Sequence, residues 1–343
     1  MATDAIEARS LWFPAPRQAE IRTETIPPPG PGEIRVKTIA SAISHGTEML
    51  VYRGEVPTNM ALDLPTLAGG YEFPIKHGYA ATGRVLDTGP GVNNLVPGAP
   101  VFVHHPHQSI FTVPAEMPVR LPESLDPLLG VFAANLETAV NIVHDTPMRL
   151  GETALVFGQG VVGLLVAQLL HLVGAGRVIA VEPVQERRKL SREMGANETF
   201  EPGEDLIERV LEATSGRGAD VAVEVSGVPG ALQNAVDSMA DEGTVVVASW
   251  YGTKPVQLDL GGRFHRGRLR LKSSQVGRLP PELAPRWDRV RRMDTALDLL
   301  PRLRLEKLIS HRFPFENAPA AYRMVDEHPG ETVQVILEYH EGG

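Results

Sequence analysis

The chain of 343 residues contains no cysteine. It can therefore form no disulfide bond, and it offers no thiolate to bind zinc. Basic residues are outnumbered: 33 lysines and arginines stand against 42 aspartates and glutamates, which gives a formal net charge of −9. This balance argues against a nucleic-acid partner, because binding of phosphates needs a basic surface.

Long apolar runs are also missing from the sequence. The apolar stretch at residues 161–173 is too short to span a bilayer, and it contains Gln168 and His171. The N-terminal residues show no basic segment followed by an apolar one, so no signal peptide is visible. We therefore expect a soluble cytoplasmic protein with no membrane partner.

Length and composition predict roughly two domains with ordinary packed cores. Residues 1–135 are rich in proline, glycine and β-branched residues, and residues 33–39 alternate as a half-buried strand should. Further strands are expected at 83–88 and 99–103. This region is predicted to be a mainly β, barrel-like domain, and the mixed tail at 274–343 is predicted to complete it.

The rhythm changes between residues 136 and 273, where strands and helices alternate. This order is typical of a Rossmann-type doubly wound parallel sheet in an α/β protein. The predicted elements are strand 153–157, helix 164–172, strand 178–181, helices 185–194 and 205–214, strand 220–225, helix 229–239, and strands 243–248 and 269–272.

A glycine-rich turn joins the first strand and helix of this region. Gly158 permits the tight turn, Gly160 lets the backbone approach a pyrophosphate, and Gly163 lets the helix pack against the strand. The helix start at Val161 and Val162 then presents free N–H groups to the phosphates. The motif predicts a dinucleotide cofactor.

The second strand ends at an acidic residue, Glu182. A carboxylate there can accept hydrogen bonds from both ribose hydroxyls of NAD and would repel the 2′-phosphate of NADP. Arg187 could stack on the adenine. Its neighbour Arg188 would suit NADP, but Glu182 opposes that choice, so NAD is the predicted cofactor.

Two later turns are expected beside the cofactor. Ser226 and Gly227 follow one predicted strand, and Ser249 follows the next. Ligands of open α/β sheets bind at the carboxyl edge of the strands, where these residues should lie.

The order of a β-rich N-terminal region, a central dinucleotide fold and a C-terminal return resembles the medium-chain dehydrogenase/reductase superfamily. Its markers here include Gly83-Arg84-Val85, the loop 158–163, Glu182, and Gly218-Ala219-Asp220-Val221 leading to Glu224. The resemblance covers nearly the whole chain. It implies that the N-terminal domain is GroES-like and that the chain is an oxidoreductase.

The zinc positions of that superfamily are changed in this chain. The resemblance puts His45 where the first ligand, a cysteine, stands, while Gly78-Tyr79-Ala80 replaces Gly-His-Glu and Ala134 falls near the third ligand. The cysteine lobe of a structural zinc is also absent from the sequence. The chain thus resembles a zinc-independent branch with no metal, and residues 41–48 are similar to the bacteriochlorophyllide hydroxyethyl dehydrogenase group.

Without zinc, side-chain donors must hold the substrate oxygen. By the resemblance, Thr47 matches the hydroxyl that touches the oxygen, and Tyr79 stands where a zinc-binding histidine would. His45 is a candidate acid–base group, and Glu48 could orient it. Each residue also has a purely structural interpretation: a turn hydroxyl, a space-filling ring, or a histidine bonded to backbone.

His104, His105 and His107 form a dense histidine cluster. Metal binding is disfavoured, because neighbouring residues of a strand point to opposite faces and Pro106 interrupts the run. The resemblance places His105 near the wall of the substrate pocket, so we expect it to contact substrate.

The predicted function is therefore interconversion of a secondary alcohol and a ketone on a small-molecule substrate. Two alternatives stay open: reduction of activated C=C bonds, as in quinone or enoyl reductases, and a non-catalytic dinucleotide-binding protein. The resemblance also suggests a homodimer formed by pairing of residues 269–272 across a two-fold axis.

Overall fold

The protein is described by a computed structural model that covers residues 4–57 and 70–340. The chain divides into two compact units, one formed by Met1–Ala134 with Leu305–Gly343 and the other by Asn135–Arg304. The structure differs here from the predicted division, which gave residues 274–304 to the first domain. They belong to the second unit because the buried guanidinium of Arg292 donates to Glu137 and Asn141 of that unit.

The first unit is mainly β, as the sequence predicts. Its short α2 is capped by Asp126, whose side chain accepts from the Leu128 N–H. The elements up to residue 134 are β1 (Ile6–Trp12), β2 (Glu20–Ile26), β3 (Glu33–Ile43), α1 (Thr47–Arg53), β4 (Ala81–Thr88), β5 (Pro100–Val103), β6 (Ile110–Pro114), β7 (Val119–Arg120) and α2 (Pro127–Gly130).

The second unit has the predicted alternation of strands and helices. Its elements are α3 (Ala133–Asp145), β8 (Thr153–Phe157), α4 (Val161–Leu172), β9 (Arg177–Val181), α5 (Gln185–Glu193), β10 (Glu198–Phe200), α6 (Leu206–Ala213), β11 (Ala219–Glu224), α7 (Pro229–Asp237), β12 (Met239–Val247), β13 (Arg270–Ser273) and α8 (Arg289–Leu299).

The chain then returns to the first unit. It adds β14 (Ile309–Pro314), α9 (Ala318–Glu327) and β15 (Gln334–Glu338). β15 pairs antiparallel with β3 and places Leu337 opposite Ser41. The C-terminal segment therefore contributes to the same sheet as the residues before α1.

Sheet topology confirms the predicted fold class. In the second unit, six parallel strands run in the order β10-β9-β8-β11-β12-β13. This doubly wound order brings the carboxyl ends of β8 and β11 side by side at the switch point. In the first unit, the larger sheet has the order β14-β15-β3-β4-β5-β7, with β6 also paired to β3.

Each unit has its own apolar core. In the second unit, β8 is buried along its whole length, as expected for a central parallel strand. In the first unit, residues of β3–β6 such as Ile34, Val36 and Phe111 form a separate cluster. No helix in the described part of the chain is both long and apolar enough to cross a membrane.

Candidate active site and dinucleotide loop

A cluster of three hydroxyl groups forms at the start of α1 in the first unit. Tyr79 donates a hydrogen bond to the Ser44 oxygen, 2.5 Å away, and it is also hydrogen-bonded to Thr47. All three side chains are only partly buried. Two of the predicted donors, Thr47 and Tyr79, are therefore brought together, and Ser44 joins them.

The phenol of Tyr79 is held in its protonated form. Burial raises its pKa above the ordinary value, and the negative charge of Glu48 raises it further, against smaller opposite effects of the bonds to Ser44 and Thr47. A phenol in this state keeps a proton to donate at neutral pH. That property suits a group that hydrogen-bonds to a substrate oxygen.

Glu48 is completely buried and lies at the centre of a second network. Its Oε2 atom is 3.0 Å from His107 Nε2 and accepts a hydrogen bond from the Tyr322 hydroxyl at 2.7 Å. Glu48 was predicted to orient His45, but in the structure its bonds run to His107 and Tyr322. Neither of these partners was identified from the sequence as part of the site.

The network continues beyond His107. Its Nδ1 atom lies 2.7 Å from Ser41 Oγ, which is 3.0 Å from the Tyr339 hydroxyl. Gly78 packs against the same histidine, since a Cβ atom built there would come within 3.0 Å of the ring. Gly78 has a φ of +142°, so glycine is required for conformation as well as for space.

His77 is a further buried histidine that sequence reasoning missed. Neither ring nitrogen has a hydrogen-bond partner among the described residues. Burial lowers its pKa to about 4, partly opposed by the charge of Glu48. Its ring centroid is 6.4 Å from that of Tyr79, so His77 lies beside the hydroxyl cluster.

The three clustered histidines separate in the structure. His104 Nδ1 donates to the Tyr79 carbonyl oxygen, and His107 joins Glu48. His105 stacks on Phe111 with ring centroids 3.7 Å apart, and burial lowers its pKa to about 3. Its Nδ1 donates to the Pro106 carbonyl oxygen at 2.9 Å, and the charges of Lys76, Glu24 and His107 also act on its pKa.

The three glycines of the loop in the second unit differ in the space around them. A Cβ atom at Gly163 would lie 2.0 Å from the Gly158 carbonyl oxygen, and one at Gly158 would lie 2.7 Å from Ser226 Cα. A Cβ atom at Gly160 would meet nothing within 4 Å. The loop thus leaves open space at Gly160, the residue before Val161 and Val162 at the N-terminus of α4, where the sequence predicts a pyrophosphate.

Glu182 is tied to the same loop. Its Oε2 accepts from the Gln159 N–H at 2.7 Å and its Oε1 accepts from the Val184 N–H at 3.1 Å, while Arg187 is 3.8 Å away. The Gln159 side chain is buried and accepts a hydrogen bond from Ser191 of α5. Glu182 itself is buried, and its carboxylate offers about four acceptor sites, of which these backbone bonds use two.

A second buried carboxylate, that of Glu224, accepts hydrogen bonds from the neighbouring turns. Glu224 accepts hydrogen bonds from the Ser226 N–H and from Tyr251. Ser249 accepts from the Gly227 N–H at 2.8 Å. The predicted residues Ser226, Gly227 and Ser249 therefore lie together at the carboxyl edge of the sheet, and Glu224 and Tyr251 are additions that the sequence analysis did not select.

Comparison with known proteins identifies the family. The family model described as zinc-binding dehydrogenase matches residues 161–292. The (R,R)-butanediol dehydrogenase of Bacillus subtilis (strain 168) is 31% identical over 261 residues, which cover 67% of this chain and 72% of that protein. The chain belongs to the medium-chain, zinc-binding-type dehydrogenase family.

One further relative and one solved structure match this dehydrogenase over most of its length. The D-guloside 3-dehydrogenase of Escherichia coli (strain K12) is 28% identical over 319 residues, covering 87% of this chain and 90% of that protein. A protein of Sinorhizobium meliloti 1021 solved with bound NADP has a TM-score of 0.79 at 23% identity, covering 97% of this chain and 99% of that one. The structural match supports the fold.

The resemblance places His45, Tyr79 and Ala134 at the catalytic zinc positions of the family. Of His45, Tyr79 and Ala134, only His45 carries a nitrogen or sulfur ligand of the kind that zinc prefers. Within residues 4–57 and 70–340, no group of three or more His, Cys, Asp or Glu side chains is arranged to hold a metal ion.

The glycine loop gives a matched pair of substitutions. Gly163→Ala should lower the free energy of unfolding by about 1–3 kcal/mol, because its methyl group would overlap the Gly158 carbonyl. Gly160→Ala should leave stability nearly unchanged, because its methyl group meets no other atom. It should weaken dinucleotide binding, because the methyl group would occupy the space in which we expect the phosphate. Urea denaturation and calorimetric titration with NADH test both. Equal dinucleotide affinity of Gly160→Ala and wild type would contradict the assignment.

The buried His105 predicts a pH dependence of stability. In the unfolded chain the His105 imidazole has a pKa of about 6.5, whereas in the folded chain its pKa is about 3. Its contribution to stability is therefore complete above pH 6.5 and is lost as the pH falls towards 3, by up to about 1.4 kcal/mol per pH unit. His105→Phe keeps a ring against Phe111 and should flatten this slope between pH 4.5 and 6.5, as measured by urea denaturation. An unchanged slope would show that His105 is not the group responsible.

Proposed function

We propose that this dehydrogenase interconverts a secondary alcohol and a ketone, with NAD as cofactor and with side-chain hydroxyls in place of zinc. The observation that carries the proposal is the Tyr79–Ser44–Thr47 cluster. It provides a protonated phenol, which the resemblance puts at the position of a family zinc ligand, together with two partly exposed hydroxyls. The alcohol, polyol and sugar-derivative names of the relatives support the same substrate class.

The reaction requires that a developing alkoxide be stabilised and that its proton be moved. Tyr79 can turn its O–H from Ser44 to the substrate oxygen, because the phenolic C–O bond rotates freely. Thr47 can accept the proton of the alcohol and donate its own. His77 is the neighbouring base that we add to the candidates, while the role of His45 stays a prediction.

The cofactor assignment rests on the loop of the second unit. Gly160, the N-terminus of α4 and Glu182 are the residues that would hold the pyrophosphate and the ribose hydroxyls. NAD, when bound, accepts or supplies the hydride. Because a structural neighbour was solved with NADP, the choice of NAD depends on the Glu182 carboxylate alone.

The protein should act without catalytic zinc, since Tyr79 and Ala134 replace two ligands. It should also form a homodimer through β13, an edge strand that is largely exposed; a monomer mass by light scattering would count against this. Contact of substrate with His105 and stacking of adenine on Arg187 remain predictions from the sequence.

Activity should be found with secondary alcohols and NAD, and it should depend on the hydroxyl cluster. We expect Tyr79→Phe and Thr47→Val to lower turnover by roughly 10²-fold, the scale of a lost oxyanion donor. NADH affinity should change little. Turnover is measured with a panel of alcohols and ketones that includes (R,R)-2,3-butanediol. A separate panel of conjugated enones tests C=C reduction.

The matched control for these variants is Tyr52→Phe, which removes a phenol in the same unit that donates to the Arg17 carbonyl. It should retain near-normal turnover. If the wild type reduces only the enones, the function is C=C reduction. If the wild type binds NADH but turns over no compound of either panel, the result favours a non-catalytic dinucleotide-binding protein.

Cofactor preference should follow Glu182. Wild type is expected to bind NADH more tightly than NADPH, because the 2′-phosphate would face a carboxylate of like charge. Glu182→Gln keeps the shape of the side chain and can still accept the hydrogen bond from the Gln159 N–H. Because it removes the negative charge, it should bring the affinities for NADH and NADPH closer together. Calorimetric titration measures both. Equal or tighter binding of NADPH by wild type would remove the basis for assigning NAD.

A further inference from the structure

The guanidinium of Arg188 in the second unit is directed towards the backbone that precedes α5. Its Nη1 atom donates to the Glu182 carbonyl oxygen at 2.7 Å and to the Pro183 carbonyl oxygen at 2.6 Å. Its Nη2 atom donates to Glu201 Oε2 at 3.1 Å, and only 17% of the Arg188 side chain is exposed. Arg188 thus joins the residues that follow β9 to the residue that follows β10.

These bonds use donors that a phosphate would need. Arginine has five N–H donors, and the two hydrogens of Nη1 are taken up by the two carbonyl oxygens. The carboxylate of Glu201 also balances the positive charge of the guanidinium. An arginine binds a phosphate best when its planar fork presents two free N–H groups to it. Arg188 lacks this arrangement, although its position in the sequence would suit NADP.

The same bonds hold the backbone of Glu182. Its N–H donates to the Phe200 carbonyl oxygen at 3.0 Å, while its own carbonyl oxygen accepts from Arg188. Its carboxylate accepts from the N–H groups of Gln159 and Val184. Groups that bind a ligand keep their geometry only where supporting hydrogen bonds hold them in place. The direction of the Glu182 carboxylate towards the glycine loop therefore depends on the main chain that Arg188 fixes.

We propose that Arg188 is a positioning residue for the Glu182 carboxylate and thereby a determinant of NAD selectivity. The inference rests on the proposed binding of NAD through Glu182. Arg188 holds the carboxylate where it accepts from the ribose hydroxyls of NAD and repels the 2′-phosphate of NADP. Removal of a positioning residue should lower the preference for NADH over NADPH, whereas removal of a phosphate ligand would raise it.

Arg188→Met keeps an unbranched side chain but removes every donor of the guanidinium. Calorimetric titration should show NADH binding weakened about 10-fold, the scale of one lost hydrogen bond to a charged group, and NADPH binding changed by less than about two-fold. The preference for NADH should therefore fall about 10-fold. Arg188→Lys should retain most of the preference, because its ammonium group can still donate to the two carbonyl oxygens.

Arg192→Met is the matched control. Arg192 lies about one turn further along α5 and is exposed, so this variant removes the same charge from the same helix. Both cofactor affinities should stay within about two-fold of wild type, as is usual for a surface substitution. If Arg188→Met weakens both cofactors equally, its role is a general structural one and the proposal is wrong. A raised preference for NADH would equally overturn it, because that result indicates a phosphate ligand.

A double substitution tests whether Arg188 acts through Glu182. In the Glu182→Gln background, Arg188→Met should change the cofactor preference by less than about two-fold, because the charge that it positions is already gone. A fall in this background as large as in the wild-type background would contradict the positioning role.

These titrations need no substrate, and they separate failure of this inference from failure of the proposed function. A wild type that does not prefer NADH contradicts the NAD assignment itself. A wild type that prefers NADH, together with an Arg188→Met variant of unchanged preference, contradicts only the positioning role of Arg188.

Discussion

The first unit depends on the burial of one carboxylate, that of Glu48. A buried acid must be hydrogen-bonded or paired, and Glu48 meets this need at Oε2, with His107 from the loop after β5 and Tyr322 from α9. These bonds join α1, a loop of the N-terminal sheet and the returning C-terminal segment. They fix the start of α1, where Thr47 lies next to Tyr79. Gly78 completes the arrangement, because any side chain there would displace the His107 ring.

Buried carboxylates have a similar role in the second unit. Glu182 accepts the Gln159 N–H of the glycine loop, and Glu224 accepts the Ser226 N–H of the turn after β11. Both residues lie at the carboxyl ends of parallel strands, where a dinucleotide is bound in this fold. Backbone groups that would otherwise be free are thereby fixed before a cofactor arrives, and less conformational entropy is lost on binding. The two buried carboxylates therefore fix the shape of the loop and of the turn beside it.

Local sequence patterns predicted the fold and the dinucleotide loop well. Alternation of strands and helices and the spacing of Gly158, Gly160 and Gly163 act between neighbours in the chain, so they can be read without a structure. The partners of Glu48 could not be predicted this way, because His107 is 59 residues away and Tyr322 is 274 residues away. Among the clustered histidines, sequence reasoning selected His105, yet its ring packs on Phe111 while His107 enters the polar network. The division at residue 274 failed for the same reason: the buried Arg292 contacts Glu137, 155 residues earlier.

In the proposed alcohol oxidation, hydroxyl side chains replace the metal. The most direct test measures turnover of a secondary alcohol with NAD in the same sample whose zinc content is determined by mass spectrometry, before and after exhaustive chelation. We predict turnover that is unaffected by chelation at a zinc content far below one ion per chain, and that is lost in Tyr79→Phe. Turnover that rises and falls in proportion to bound zinc would contradict the account.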